Sequence, residues 1–511
     1  MATVKKAAKK TAKPKKTAKI PKTLAPQETP PAPAAPTAGI LAWEDDPFAL
    51  STPAPVEASP IRRPVPNLAA GTLRAKINGA APPAKEYSPG TVQFRYWTAA
   101  DALKRGLDFW SAILPGGTKW FKTVGAALPV DLDEGVDLNA YYDRRGLVFF
   151  HGSAGGRTVF SGESPDIVAH ELGHAILDAL RPQLFDAASV EAAAFHESFG
   201  DLSALLVALQ LPSVRERTLL QTGGRIYRTS RLSRIAEQLG WAIRQARQDA
   251  VDPDSLRNAV NSFFYVKPSG LPPDSPAGQL SSRPHSFSRV FTGAFFEALA
   301  GMLLIARKEG PTEQDLLRAS RDAGQLLVDA VRRAPVVPAY FSQVAAAMID
   351  ADRTRFKSRY RDALKSSFVR HGVLSLTSAS AAPATGVAMA AFGVAPAAAK
   401  VKPELPRMEI QANQFGLDVS TLFVNASSEP VRFQALAAAP DLGEVEPASQ
   451  EKDAEFFLED LFRRGRVEMA SFGEKDTRIS HPFAKKTHEL AKEKDGLALR
   501  RLRFDCGFDC E

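Results

Sequence analysis

The stretch VAHELGHAILDAL, residues 168–180, holds two histidines four positions apart with a glutamate directly after the first. Residues at this spacing share one face of a helix, so His170 and His174 can present both imidazoles to one metal ion while Glu171 projects beside them. The neighbouring residues are mostly apolar, which predicts a largely buried helix, where polar side chains without partners are costly. A bound metal would remove that cost. The alternative is a surface helix with solvated histidines.

A second apolar stretch, AAAFHESFGDLSALLVAL at residues 192–209, carries Glu197 and Asp201. Glu197 can complete a His, His, Glu ligand set that leaves a position open for water, unless it merely faces solvent. Asp201 can accept the second ring N–H of a ligating histidine and fix its tautomer, and Asp178 is another candidate for that role. The sequence therefore predicts a catalytic type of zinc site with one ion.

The net charge of +8 belongs to the beginning of the chain, since nine lysines and no acidic residue lie in the first 22 residues. Subtracting these nine charges leaves 8 − 9 = −1 for the remainder. A basic tail of this kind is most often a solvated arm, with a polyanion or export-machinery contact through residues 1–22 as the alternative.

The tail lacks the apolar core of a secretory signal, and no stretch has the roughly 18 to 20 apolar residues of a membrane span. We therefore expect no transmembrane segment and a cytoplasmic protein, or one exported without a classical signal peptide. Only Cys506 and Cys510 are present, so disulfides cannot be the framework of the fold, and the sequence does not decide whether these two pair.

Composition and periodicity divide the chain into four parts. Residues 1–85 are rich in Lys, Ala and Pro and are predicted to be disordered. Residues 86–375 begin with mixed α and β patterns and become helical after Pro165. An Ala/Pro-rich linker at 376–403 precedes a small β-rich domain at 404–511, which includes a predicted hairpin turning at Asp495 and Gly496.

Four stretches in order, NAYYDRRGLVFF, SPDIVAHELGHAILDAL, FHESFGDLSALL and RPHSFSRVFTGAFFEAL, resemble the thermolysin-like zinc metallopeptidases, or gluzincins. With its flanking helices the resemblance covers about residues 90–375. It implies an α+β fold of two lobes, an N-terminal α+β lobe and a mainly helical C-terminal lobe, with the zinc helix at the cleft between them.

The resemblance also assigns roles to further residues. Asn139, Ala140 and Tyr141 would form an edge strand that pairs with the substrate backbone. His285 would donate to the developing oxyanion, although it could simply cap the following helix. Arg228 would bind a substrate carbonyl, with Arg231 as a competitor for that role.

The chain departs from the family pattern in three respects. Phe185 stands where the family usually has a tyrosine that assists the oxyanion. Of the acidic residues that bind structural calcium in the family, Asp166 survives but most others are missing, so calcium is expected to be absent or reduced. Neither a signal nor a folded pro-segment is visible.

The expected activity is zinc-dependent endopeptidase hydrolysis of peptide or protein substrates, with Glu171 as general base on the attacking water. One alternative is a catalytically weak or inactive zincin-like protein that binds peptides or partners, which the loss of the tyrosine favours. Another is an effector cargo addressed by its basic tail.

Overall fold

The computed structural model describes residues 39–51, 54–57, 59–307, 310–375, 404–428, 449–468 and 485–505. Within these residues the chain is mixed α+β, with eleven α-helices and several small sheets. The predicted linker at 376–403, the tail at 1–38 and both cysteines lie outside the described residues.

The motif helix, α2 (Pro165–Leu180), packs along α4 (Val190–Ala208), the helix that carries Glu197. Ser164 caps the first and Ser189 the second, each hydroxyl accepting a hydrogen bond from a backbone N–H three residues later. Proline at the first position of α2 has the backbone angle that a helix start requires. Nearly every residue of both helices is buried, as their apolar sequences predict.

Two glycines allow these helices to approach closely. A Cβ on Gly173 would lie 3.0 Å from the Gly200 Cα and 2.8 Å from the Ser203 Cβ. A Cβ on Gly200 would lie 2.6 Å from the His170 ring. The position of that imidazole therefore depends on glycine at 200.

The other helices surround this pair or lie in the C-terminal part of the chain. They are α1 (Val92–Ile113), α3 (Gln183–Asp186), α5 (Pro212–Thr222), α6 (Glu237–Ala246), α7 (Pro284–Ala306), α8 (Glu313–Arg333), α9 (Tyr340–Arg355), α10 (Arg361–Arg370) and α11 (Gln450–Arg463). α4 packs on α7 and α2 packs on α1, so the motif helices form the centre of the helical core.

A five-stranded sheet lies beside α2, and its strand order is β18-β7-β8-β6-β5. Its members are β5 (Ala75–Ile77), β6 (Leu128–Asp131), β7 (Ala140–Tyr142), β8 (Leu147–Phe149) and β18 (Phe504–Asp505). β7 runs antiparallel to β8 on one side and to β18 on the other. The last described strand of the chain thus completes a sheet whose other strands come from its first third.

Residues 404–505 contribute a second five-stranded sheet of order β13-β14-β17-β16-β15. Its strands are β13 (Arg407–Gln411), β14 (Thr421–Asn425), β15 (Val467–Glu468), β16 (His488–Glu493) and β17 (Gly496–Arg501). β16 and β17 pair antiparallel around the turn at Asp495, which confirms the predicted hairpin. This sheet is joined to the helical core, because the Ala188 N–H donates to the Asn425 carbonyl.

Small two-stranded sheets complete the fold: β1 (Gly39–Ala42) with β4 (Ile61–Pro64), β2 (Phe48–Ser51) with β3 (Ala54–Glu57), β9 (His151–Ala154) with β10 (Arg157–Phe160), and β11 (Arg234–Ile235) with β12 (Arg257–Asn258).

The prediction of disorder across residues 1–85 is wrong for the described residues after 38, which form strands. Ile40, Trp43 and Phe48 are buried, and the Trp43 ring contacts Phe94 of α1 edge-on at 5.4 Å. Short apolar segments inside a Pro/Ala-rich region were enough to anchor it.

Among the described residues, α7 is the one single helix long and apolar enough to cross a membrane. Its apolar window is 72% buried within the structure, which makes it weak evidence for a membrane span. α4 and α5 would pass the same test only together, and a bend of 100° separates them.

Glu191, in the first turn of α4, is a buried carboxyl that binds neutral groups. It accepts hydrogen bonds from the Tyr265 hydroxyl (2.5 Å) and the Phe341 N–H (2.9 Å). Burial raises its pKa to about 8 despite these bonds. The folded state therefore favours the protonated carboxyl more strongly than the unfolded state does.

We predict that Glu191→Gln reduces the pH dependence of stability. In the wild type, the contribution of Glu191 is fully present below about pH 4.5 and is lost as pH rises through about 8, a difference on the order of 3 to 5 kcal/mol. Urea unfolding between pH 4 and 9 should show that the free energy of unfolding of the variant rises relative to that of the wild type as pH increases. The exposed Glu216→Gln serves as control, and parallel pH profiles for the wild type and Glu191→Gln would refute the prediction.

Candidate metal site

His170, Glu171 and His174 form a buried group that can hold a metal ion, because one ligand atom from each lies within 4.8 Å of the others. Both histidines and the glutamate are at most 2% exposed. Among the described residues, the Nε2 atoms of the two histidines have no hydrogen-bond partner. Two buried imidazole nitrogens that converge without a hydrogen bond fit a metal ion and fit poorly with a purely structural role.

Glu197 of α4 faces both of these nitrogens. Its Oε2 lies 3.5 Å from the His170 Nε2, and its Oε1 lies 3.9 Å from the His174 Nε2. Ligand atoms bound tetrahedrally at about 2.0 to 2.1 Å from an ion stand about 3.3 Å apart. The three side chains are therefore spaced closely enough for an ion to draw them together and too widely for ordinary hydrogen bonds.

Asp201 orients the ring of His170, as predicted. The His170 Nδ1 lies 3.2 Å from the Asp201 Oδ1, so the Nδ1–H donates to the carboxylate and Nε2 faces the cluster. Arg257 holds the same carboxylate through two nitrogens, the shorter distance being 2.7 Å. Burial alone would raise the pKa of Asp201, but Arg257 and His170 lower it overall, so it stays ionised.

His174 has a different neighbour, which the sequence analysis missed. Its Nδ1 lies 3.1 Å from the Nδ1 of His196, the residue directly before Glu197. Burial lowers the pKa of His174 to about 3, so its imidazole is neutral. The two rings share one hydrogen bond, and metal binding through the His174 Nε2 requires the His174 Nδ1–H to be its donor.

Asp178, the other candidate for orienting a histidine, binds different groups. It accepts from the Tyr142 hydroxyl at 2.9 Å and pairs with Arg144 at 2.8 Å. Arg144 also pairs with Asp186 at 2.7 Å. These contacts join β7, α2 and α3, which gives Asp178 a structural role behind the site.

His285, at the start of α7, also reaches the cluster. Its Nε2 lies 3.1 Å from the Glu197 Oε2 and donates a 2.7 Å hydrogen bond to the Asp505 carbonyl. Burial acts to raise the pKa of Glu197, but His285 and His174 outweigh it and lower the pKa well below its usual range. Glu197 is thus an ionised carboxylate surrounded by three imidazoles.

The predicted peptide-binding strand lies beside the cluster as β7. Asn139 precedes the strand, and its side chain accepts from the Ala140 N–H at 2.9 Å while its carbonyl accepts from the Ser161 hydroxyl at 2.8 Å. Tyr141 pairs with Asp505 and Tyr142 pairs with Phe504. The edge that was predicted to bind substrate backbone therefore carries a strand of the same chain.

Arg257 lies beside the cluster, whereas neither predicted arginine contacts it. Arg228 is exposed in the loop after α5. Arg231 pairs with Asp45 at 2.6 Å, away from the histidines. Arg257 was missed because it is 56 residues from its partner Asp201, and no local pattern relates the two.

Phe185, which departs from the family pattern, and Asp166, which keeps it, are both buried. The Phe185 ring contacts Phe504 edge-on at 5.3 Å and lies 4.0 Å from the Arg144 guanidinium. Asp166 accepts from the Ala236 N–H at 3.0 Å. Burial and the neighbouring Asp46 carboxylate raise the pKa of Asp166 to about 8, so protonation can satisfy this acidic pair.

Comparisons with known proteins do not identify the chain. No protein-family model matches it. No curated protein matches its sequence significantly.

We predict that His174→Ala reduces tightly bound divalent metal from about one ion per chain to less than a tenth of that. Asp201→Asn should weaken binding by about 10- to 100-fold, because the residue orients a ligand without being one. Metal content after dialysis against known free-ion concentrations measures both effects. His151→Ala, at a partly exposed histidine paired with Asp133, should leave the metal content unchanged, and equal loss in that control would contradict the assignment.

Proposed function

We propose that the protein is a zinc-dependent endopeptidase and a divergent relative of the thermolysin-like metallopeptidases. The observation that carries the proposal is the convergence of two buried imidazole nitrogens on one ionised carboxylate, with a further glutamate beside them. Two histidines and a carboxylate are a ligand set of catalytic zinc sites, which leave a position open for water. The sheet on one side of α2 and the helices on the other are consistent with two lobes.

His170, His174 and Glu197 would hold the zinc ion. Glu197 is preferred to Glu171 as the third ligand because its two oxygens face the two Nε2 atoms from the opposite helix. Glu171 follows His170 directly on α2 and is then left to act on water. Zinc bound there would lower the pKa of a water molecule and polarise a carbonyl.

The chain's own residues supply the remaining chemistry. Glu171 takes the proton of the attacking water and later delivers it to the leaving amine. The Nε2–H of His285, which already donates to a backbone carbonyl at 2.7 Å, donates to the developing oxyanion. β7 aligns the substrate backbone through strand pairing, the arrangement it shows with β18. Physiological partners would be peptide or protein substrates.

The second candidate is a zinc-binding protein that captures peptides without hydrolysing them. Phe185 favours it, because the carbon ring at this position cannot donate a hydrogen bond to an oxyanion. Contact of residues 1–22 with a polyanion or an export machine concerns residues outside the described part and is compatible with either candidate.

Glu171→Gln separates catalysis from metal binding. We predict that the variant keeps about one zinc per chain and loses hydrolysis of an unfolded protein such as casein by about 10²- to 10⁴-fold, the typical contribution of general-base catalysis, because the carboxamide cannot accept a proton. A zinc chelator should abolish the activity of the wild type, and added zinc should restore it.

The matched control for that experiment is Glu191→Gln, another buried glutamate changed in the same way but bound to Tyr265 and Phe341. It should retain wild-type hydrolysis at pH 7. Zinc binding without hydrolysis in the wild type would favour the capture protein, while hydrolysis that survives Glu171→Gln would exclude the proposed mechanism.

A further inference from the structure

The C-terminal strand β18 covers the proposed cleft of its own chain. Phe504 pairs with Tyr142 and Asp505 with Tyr141, antiparallel, on the edge of β7 that faces away from β8. Because a sheet edge offers one row of backbone groups, a peptide and β18 cannot pair with the same edge at once. Among the described residues, β18 is therefore the occupant of the surface proposed to bind substrate.

The main chain of β18 also reaches the catalytic groups. The Asp505 carbonyl accepts the 2.7 Å hydrogen bond from the His285 Nε2, the nitrogen proposed to serve the oxyanion. That nitrogen lies 3.1 Å from Glu197, so the carbonyl stands at the entrance to the metal site. A substrate carbonyl would need the same donor.

The side chain of Phe504 closes the cleft over the histidines. Its ring stacks on His196 with centroids 4.0 Å apart and on His174 at 5.2 Å. It also contacts the Phe185 ring edge-on at 5.3 Å, and it is only 3% exposed. The rings of His196, His174 and Phe185 thus surround one aromatic side chain, and His174 is a predicted metal ligand.

Residues around β18 hold it in place. The Asp505 carboxylate pairs with Arg466 at 3.3 Å, and the Arg501 Nε donates to the Phe185 carbonyl at 2.8 Å. The pocket that reaches Glu197 is also lined by Phe457 of α11 and His488 of β16. The covering strand is thus tied to the C-terminal sheet and not only to β7.

We propose that β18 is a self-inhibitory segment that occupies the peptide-binding edge in the manner of a substrate, with Phe504 in an aromatic-accepting subsite. The inhibition of hydrolysis rests on the proposed function, but occupancy of the β7 edge by β18 can be tested without catalysis. Only two residues pair with β7, so release of the strand breaks a short ladder and leaves the β16–β17 hairpin intact. Peptides with an aromatic residue at the position of Phe504 would compete best for the vacated edge.

The test uses the full chain and the variant Phe504→Ala. The first measurement is binding of a fluorescent hexapeptide with the sequence of residues 500–505, followed by anisotropy. The apparent affinity for a peptide falls in proportion to the fraction of chains whose β7 edge is free. The variant should therefore bind the peptide at least about tenfold more tightly than the wild type. A hexapeptide with alanine in place of its phenylalanine should bind the variant more weakly.

Two further measurements use the same proteins. Hydrogen exchange of the β7 amides should be faster in Phe504→Ala than in the wild type, and hydrolysis of a quenched fluorogenic peptide should rise by a factor similar to that for binding. Phe415→Ala is the matched control, since Phe415 is a buried aromatic residue of the C-terminal part that stacks on Phe462. It should leave peptide binding and hydrolysis unchanged.

The outcomes separate the two proposals. Equal peptide binding and equal β7 exchange in the wild type and Phe504→Ala would overturn self-inhibition, whatever the level of hydrolysis. Tighter binding without hydrolysis would support the occupancy and contradict the peptidase. If Phe504→Ala fails to fold, Phe504→Leu keeps the apolar volume and removes the ring stacking, and it should change both measurements in the same direction by a smaller factor.

Discussion

The close contact between α2 and α4 is the constraint on which the site depends. At Gly173 and Gly200 the two helices leave no room for a side chain, and the His170 ring lies directly against the second glycine. This contact brings the two imidazoles of one helix within reach of Glu197 on the other. A bulkier residue at 200 would displace the His170 ring from its position facing Glu197.

Electrostatics then determine how the buried groups coexist. A lone carboxylate at the position of Glu197 would take up a proton on burial, but the three imidazoles around it favour the ionised form. Arg257 likewise keeps Asp201 ionised, and Asp201 orients the His170 ring. Negative charge is thus concentrated at two oriented carboxylates, one facing the metal position and one behind a histidine.

The sequence was sufficient for the groups whose positions follow from helical periodicity. His170, His174 and Glu197 lie on two strongly apolar helices, and their convergence follows once those helices pack together. His196 was open to the same reasoning, since it directly precedes Glu197, but no spacing rule marks a histidine that contacts another histidine. Periodicity therefore finds ligands more readily than it finds the groups that orient them.

Contacts between residues that only the tertiary fold brings together could not be predicted from the sequence. Asp505 is 220 residues from His285, and Arg257 reaches Asp201 from a two-residue strand. The early strands of residues 39–85 were hidden by a composition that is typical of disordered segments. For the two side-chain contacts the partner lies far away in sequence, so neither composition nor periodicity contains the information.

The covered state carries an electrostatic cost that bears on how firmly β18 is held. Burial lowers the pKa of Arg501 to about 10 and lowers the pKa of Arg466 as well, which means that both guanidinium groups are poorly solvated in the folded chain. Asp505 offsets part of this loss through its ion pair with Arg466, and the pKa of Asp505 stays low although burial acts to raise it. Opening would restore water to these charges while exposing the Phe504 ring. The balance between charge solvation, which favours opening, and aromatic burial, which favours closure, makes Phe504 the side chain whose size most directly sets the occupancy of the edge.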